Sequence, residues 1–101
     1  MTSSFELVIS DHASDDLRGI HQYGAESWGE KQADDYTDAI IDSLNLLVDF
    51  PRRGKPAPNM PSGVRQLVAG RHLVLYQVIE KQVVVLRVVS PRTSPPYELG
   101  I

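Results

Sequence analysis

The rhythm of apolar and polar positions changes along this chain, and each change marks an element. Phe5–Ile9 is a short, mostly apolar run with the composition of a strand. Beyond it Ala13, Leu17, Ile20 and Gly24 recur at helical spacing, which predicts a helix over about residues 12–28. Asp11 is the expected N-cap, and Asp15 and Asp16 sit favourably near the positive helix end. Gly29 interrupts the pattern and is expected in the left-handed position that follows a helix. A second stripe, Ala33, Tyr36, Ile40, Leu44 and Leu47, is widened by Thr37, Ile41 and Val48 and predicts a helix over residues 30–49. Lys31, Asp34, Asp35, Asp38 and Asp42 take its solvated face. So tight a break at Trp28-Gly29 makes the two helices fold back as a hairpin, with Trp28 and Tyr36 expected to pack in the core and at the turn. Pro51 ends the second helix at Phe50.

In the second half of the chain the apolar residues crowd into β-branched runs. Val64–Ala69 alternates as a strand. His72–Val89 is two such runs with a polar break at Glu80-Lys81, which predicts a β-hairpin over 72–79 and 82–89. A two- or four-residue loop there sets Gln77 against Val84, Leu75 against Leu86 and Leu73 against Val88. That face is almost wholly apolar and is expected to be core. The other face pairs His72, Val74, Tyr76 and Val78 with Val89, Arg87, Val85 and Val83. Pro51–Gly63, with four prolines and two glycines, reads as a loop, and the prolines at 91, 95 and 96 make residues 91–101 an extended arm.

The order β-α-α-β-β-β predicts an α+β fold in which a helical hairpin packs on one face of a small, mainly antiparallel sheet. The chain reads as one domain over 1–101. The predicted core is Leu17, Ile20, Ile40, Leu44, Leu47, Leu73, Leu75, Leu86 and Val88. No element remains to cover the second sheet face, so Val74, Val78, Val83, Val85 and Val89 are expected to form an open apolar patch of the kind that meets a partner.

Charge sharpens this picture. Residues 1–50 carry 11 acids against Arg18 and Lys31, and residues 51–101 carry eight bases against Glu80 and Glu98. The net charge of −3 hides one acidic and one basic half, and the basic half is a candidate surface for an anionic partner. There is no cysteine, hence no disulfide and no thiolate metal site, which suits a reducing cytoplasm. The N-terminus lacks the basic and apolar regions of a signal peptide, and no run approaches the roughly 20 apolar residues of a membrane span. His12, His21 and His72 have no metal spacing, and no phosphate loop, nucleophilic triad or dinucleotide motif is present, so neither metal nor cofactor is expected. Arg87 is expected either to pair with a carboxylate or to make contacts.

Several spaced residues carry a family resemblance. They are Ala13, Asp16, Leu17, Ile20 and Tyr23; Trp28, Gly29, Gln32, Ala33 and Tyr36; Pro51, Gly54 and Pro56; Arg65, Gly70, His72, Val74 and Tyr76; and Arg87 with Val88. In this order and spacing, over residues 5 to 90, the chain resembles the ParE toxins of the ParE/RelE superfamily of type II toxin–antitoxin systems. It departs from them at Ser90, where many such sequences have His, and in the proline-rich tail.

The resemblance implies a cytoplasmic toxin held by a co-encoded, ParD-like antitoxin in a hetero-oligomeric complex. It also implies a protein-binding inhibitor of DNA gyrase that is not itself an enzyme and makes no direct nucleic-acid contact. An acidic, amphipathic antitoxin tail is expected on Tyr36 and Ile40 of the second helix and on Arg65, Arg71, Val74, Tyr76, Val85 and Arg87 of the sheet. Arg87, Arg92 and Tyr97 are the expected contacts to the target. Two alternatives stay open: a RelE-type, ribosome-dependent ribonuclease, and an interaction module of the same fold without toxicity. The lysines are few and Tyr97 follows Pro95-Pro96, which argues against the clustered cations and tyrosine of such a ribonuclease.

Overall fold

The computed structural model describes residues 5–90. The elements run β1 (Glu6–Ile9), α1 (Asp11–Trp28), α2 (Glu30–Asp49), β2 (Lys55–Pro56), β3 (Arg65–Ala69), β4 (His72–Ile79) and β5 (Gln82–Val89). The five strands form one sheet in the order β1-β5-β4-β3-β2. β1 runs parallel to β5 and the other neighbours are antiparallel. The two helices pack against one face, the α+β architecture that the spacing predicts.

Ser10, not Asp11, caps α1. Its Oγ accepts the Ala13 N–H at 3.1 Å, so Asp11 becomes the first helical residue. The same hydroxyl donates to the Leu86 carbonyl at 3.0 Å and ties the helix start to β5. Gly29 separates the helices at φ 100°. Along α1 and α2 the buried residues are Ala13, Leu17, Gly24, Ala33, Ile40, Leu44 and Leu47, one stripe on each helix.

The two sheet faces are exchanged relative to the expectation. Val74, Tyr76, Val83 and Val85 lie under the helices with Ile40, Leu44 and Leu47. Leu73 and Leu75 lie on the opposite side, in a second cluster with Val64 and Val89. β4 is apolar at both parities, so alternation alone does not say which side meets the helices. The second face is also not open. The proline-rich segment folds across it: Lys55 and Pro56 pair with Gln66 and Arg65, and Ala57 and Met60 pack on the second cluster. What reads as a plain loop is a lid on a small second core.

The hairpin turn is a two-residue loop, Glu80-Lys81, closed by Ile79 opposite Gln82. Near the turn the predicted pairing holds, with Gln77 opposite Val84 and Tyr76 opposite Val85. A bulge then inserts Leu86, and beyond it Leu75 faces Arg87, Val74 faces Val88 and Leu73 faces Val89. Leu86 was expected in the core opposite Leu75; it is half-buried and packs on the lid side, while Val88 is buried among the helices. One extra residue thus reverses the parity of β5, which a pure period-2 pattern does not reveal.

Gly54 anchors the lid. Its N–H donates to the Tyr76 hydroxyl at 2.9 Å, and that hydroxyl donates to the Pro51 carbonyl at 2.8 Å. A Cβ on Gly54 would stand 2.5 Å from the Gln66 carbonyl oxygen and 2.7 Å from the Tyr76 hydroxyl. The first of these is backbone in a paired strand and has little room to yield. Gly54→Ala is therefore expected to destabilise the fold by about 1–3 kcal/mol through overpacking. Urea unfolding checks it, and a midpoint equal to that of the parent chain would show that the lid relaxes freely.

Candidate protein-interaction site

The placement of the expected contact residues decides which of them a partner can reach. Ile40, Val74, Tyr76 and Val85 have at most 1% of their surface exposed and belong to the core beneath the helices. Their expected role as a partner surface is corrected: the exchange of sheet faces buries Val74, Tyr76 and Val85, and Ile40 faces the same core from α2. Arg65 is half-buried and clamps the lid: its Nε and Nη2 donate to the Gly54 carbonyl at 3.1 and 2.6 Å, and Nη2 also reaches the Arg52 carbonyl at 3.2 Å. The guanidinium expected to meet a partner's carboxylates is thus engaged within the chain.

Arg87 takes up the first of the two roles open to it, pairing with a carboxylate. Its Nε and Nη2 donate to the two oxygens of Asp16 at 2.7 and 3.0 Å, and the same carboxylate accepts the Val88 N–H at 2.9 Å. The Asp16 and Arg87 side chains are 16% and 21% exposed. The bulge at Leu86 allows this, because it brings Arg87 and the Val88 amide together toward α1. Arg92 and Tyr97 lie outside the described residues.

Tyr36 and Arg71 remain at the surface, and they meet. The Tyr36 hydroxyl accepts the Arg71 backbone N–H at 2.7 Å and lies 2.7 Å from Nδ1 of His72. Gly70, at φ 62°, fits beneath the Tyr36 ring; a Cβ there would be 2.8 Å from both Cε1 and the hydroxyl. The β3–β4 turn is therefore seated directly on a side chain of α2. His72, which has no metal spacing in the sequence, is held instead by this hydrogen bond. Burial lowers its pKa below the ordinary value of 6.5, while the Asp16 carboxylate pulls it back up.

Beside this contact runs an open groove of about 470 Å³, lined by Trp28, Gln32, Asp35, Tyr36 and Arg71. Trp28, expected to pack in the core or at the turn, is half exposed and stands edge-on to Tyr23, which is itself largely exposed. Gln32, one of the residues that carry the family resemblance, and Asp35, expected only on a solvated helix face, both line the groove. Their spacing carries the signal, since Gln32 lies three residues before Asp35 and four before Tyr36, on one helix face. Val68 on β3 is 71% exposed. The short β2 pairs only with Arg65 and Gln66, so the outer side of Leu67–Ala69 has no strand neighbour among the described residues. An aromatic, mixed-charge groove and an incompletely covered strand edge are features that bind protein segments. Among the described residues no group of His, Asp or Glu is placed to hold a metal ion.

Known proteins resemble this chain over most of its length. The family model for the ParE toxin of the type II toxin–antitoxin system, parDE, matches residues 7–95. The chain is 30% identical over 92 residues to Toxin ParE1 of Caulobacter vibrioides, covering 91% of this chain and 95% of that protein. It is 29% identical over 90 residues to Toxin ParE1 of Mycobacterium tuberculosis, covering 88% and 92%. Among solved structures it superposes on a chain of the chromosomal ParDE system from P. aeruginosa with a TM-score of 0.77 at 21% identity, covering 88% of this chain and 98% of that one. A chain of the RelBE2 toxin–antitoxin complex from Mycobacterium tuberculosis superposes with a TM-score of 0.65 at 21% identity, covering 85% and 96%. The two superpositions speak for the fold; the family match, spanning nearly the whole chain, speaks for descent. On that match and on the likeness to the Caulobacter protein, this chain belongs to the ParE toxin family of type II toxin–antitoxin systems.

Proposed function

We propose that this toxin acts by binding, as an inhibitor of DNA gyrase, and that a ParD-like antitoxin neutralises it in the cytoplasm. The observation that carries the reading is the family match over residues 7–95. The arrangement of cations supports a binder over a nuclease: Arg65 holds lid carbonyls and Arg87 holds Asp16, while the described lysines, Lys31, Lys55 and Lys81, stand on α2, β2 and the hairpin turn. Phosphodiester cleavage needs such groups converged on one phosphate. Among the described residues no helix is long and apolar enough to cross a membrane.

For the antitoxin we propose the groove with Tyr36 and Arg71, continued along the outer side of Leu67–Ala69. An acidic, amphipathic tail would set an apolar side chain on Trp28, a carboxylate on Arg71 and a strand beside Val68. Arg92 and Tyr97 remain the proposed contacts to gyrase. The test is a supercoiling assay with purified toxin. Inhibition that the product of the neighbouring gene reverses, and that Arg71→Glu makes harder to reverse, is the expected result. Unimpeded supercoiling together with codon-position cleavage of messenger RNA would replace this reading by the ribonuclease one. Neither activity, and no binding of the neighbouring gene product, would leave an interaction module.

A further inference from the structure

We propose that the Tyr36–His72 contact is an acid-responsive latch on the groove, in which proton uptake by His72 turns the Tyr36 hydroxyl proton away from the ring and out toward the groove. The argument is one of donors and acceptors. The Arg71 backbone N–H can only donate, so the Tyr36 oxygen accepts that bond. The hydroxyl's own proton is then available to His72 Nδ1, 2.7 Å away, and that bond requires a bare Nδ1 with the ring proton on Nε2. When the ring takes up a second proton, Nδ1 becomes a donor. Two donors then face one hydroxyl oxygen, and its proton has to leave the line between them.

The ring of Tyr36 has little room to follow. Gly70 lies so close that even a methyl group would not fit between them, so the change falls on the hydroxyl rotor. Tyr36 and Arg71 both line the groove, together with the polar Gln32 and Asp35, so the turned proton falls to that side. The groups that face His72 are Tyr36 from α2, the neighbouring Arg71 from the turn, and Asp16 from α1, with Arg87 of β5 bonded to Asp16. Protonation adds a second positive charge beside Arg71, at the edge of the groove. Burial of His72, which disfavours that charge, places the change on the acid side of 6.5. The inference concerns the isolated chain and does not depend on what the toxin inhibits.

Nitrogen-15 NMR of the full chain from about pH 8 to about pH 5 tests it, across the range in which histidine titrates. At the upper end His72 should show a bare Nδ1 and a protonated Nε2. On acidification the Arg71 amide and the Tyr36 ring signals should move together with the His72 midpoint. In His72→Gln, which keeps a neutral acceptor, those signals should stay flat over the same range. Tyr36→Phe, which keeps the ring over Gly70, should shift the His72 midpoint upward by removing a bond to the neutral ring. A protonated Nδ1 at the upper end would overturn the latch. So would Arg71 and Tyr36 signals that ignore the His72 titration, an unchanged His72 midpoint in Tyr36→Phe, or the same Arg71 titration in His72→Gln.

Discussion

Asp16→Ala is expected to cost the fold about 3 kcal/mol, the lower end of the about 3–5 kcal/mol that follows when one partner of a buried ion pair is removed. The lower end applies because the two side chains keep 16% and 21% of their surface in contact with solvent. The carboxylate accepts from Arg87 Nε, Arg87 Nη2 and the Val88 N–H, so its loss takes the charge partner from one group and the acceptor from another. Asp15, the adjacent residue, is the control. It pairs with Arg18 one helical turn away, both side chains are 71% exposed, and removing it should cost about 0–1 kcal/mol. Urea unfolding of the two variants side by side measures the difference, and equal midpoints would refute the distinction.

The same variant carries a pH signature. His72 has a folded pKa below its ordinary 6.5 because burial disfavours its charge, and Asp16 counteracts that. Between the folded value and 6.5 the unfolded chain binds more protons than the native one, so stability rises with pH there. The contribution is complete above about 6.5 and is lost as the pH falls through the folded value. Removing Asp16 lowers the folded value further, so Asp16→Ala should lose more stability on acidification than the parent chain. His72→Gln should abolish that excess.

The second large effect is expected at Leu44. Leu44→Ala should cost about 2–5 kcal/mol, because the side chain is fully buried in the cluster formed by the helices and the central strands and its removal leaves a cavity. Leu46, two residues on, points outward with 43% exposure, and its replacement by alanine should stay within about 0.5 kcal/mol. Thermal unfolding of both variants reads the contrast. Similar losses would mean that α2 is rotated about its axis from the orientation described.

The helices were legible in the sequence because a 3.6-residue period over some twenty residues leaves one choice of face. The strands were legible as strands, but their sidedness was not. Leu73, Leu75, Val74 and Tyr76 are all apolar, and both faces of β4 are in fact buried. The missing information was that Pro51–Gly63 covers a face, a fact held in the fit of Gly54 against Tyr76 and in the grip of Arg65 on lid carbonyls. For the same reason Val74 and Val85 read as a partner surface while belonging to the core. The bulge at Leu86 has no residue-type signature, and it alone decides that Arg87 meets Asp16. Tyr36, Gly70 and Arg71 are each conspicuous in the sequence, but their meeting across α2 and the β3–β4 turn depends on packing that no local pattern encodes.

The order of the sheet also governs when this protein can exist as a folded object. β5 lies between β1 and β4, so the strand that joins β1 to the rest of the sheet is the last one in sequence among the described residues. Glu6 pairs with Gln82 and Ile9 with Val85, across most of the chain's length. A ribosome delivers the N-terminal strand first and leaves it without its neighbour until β5 emerges. Loop closure over that span makes the pairing a late, slow event in folding. A chain interrupted anywhere before Gln82 lacks the strand that joins β1 to the rest and the Arg87 that grips α1. Chains that stop short of β5 therefore leave β1 without a strand partner among the described residues, and the sheet closes only once Gln82–Val89 has been made.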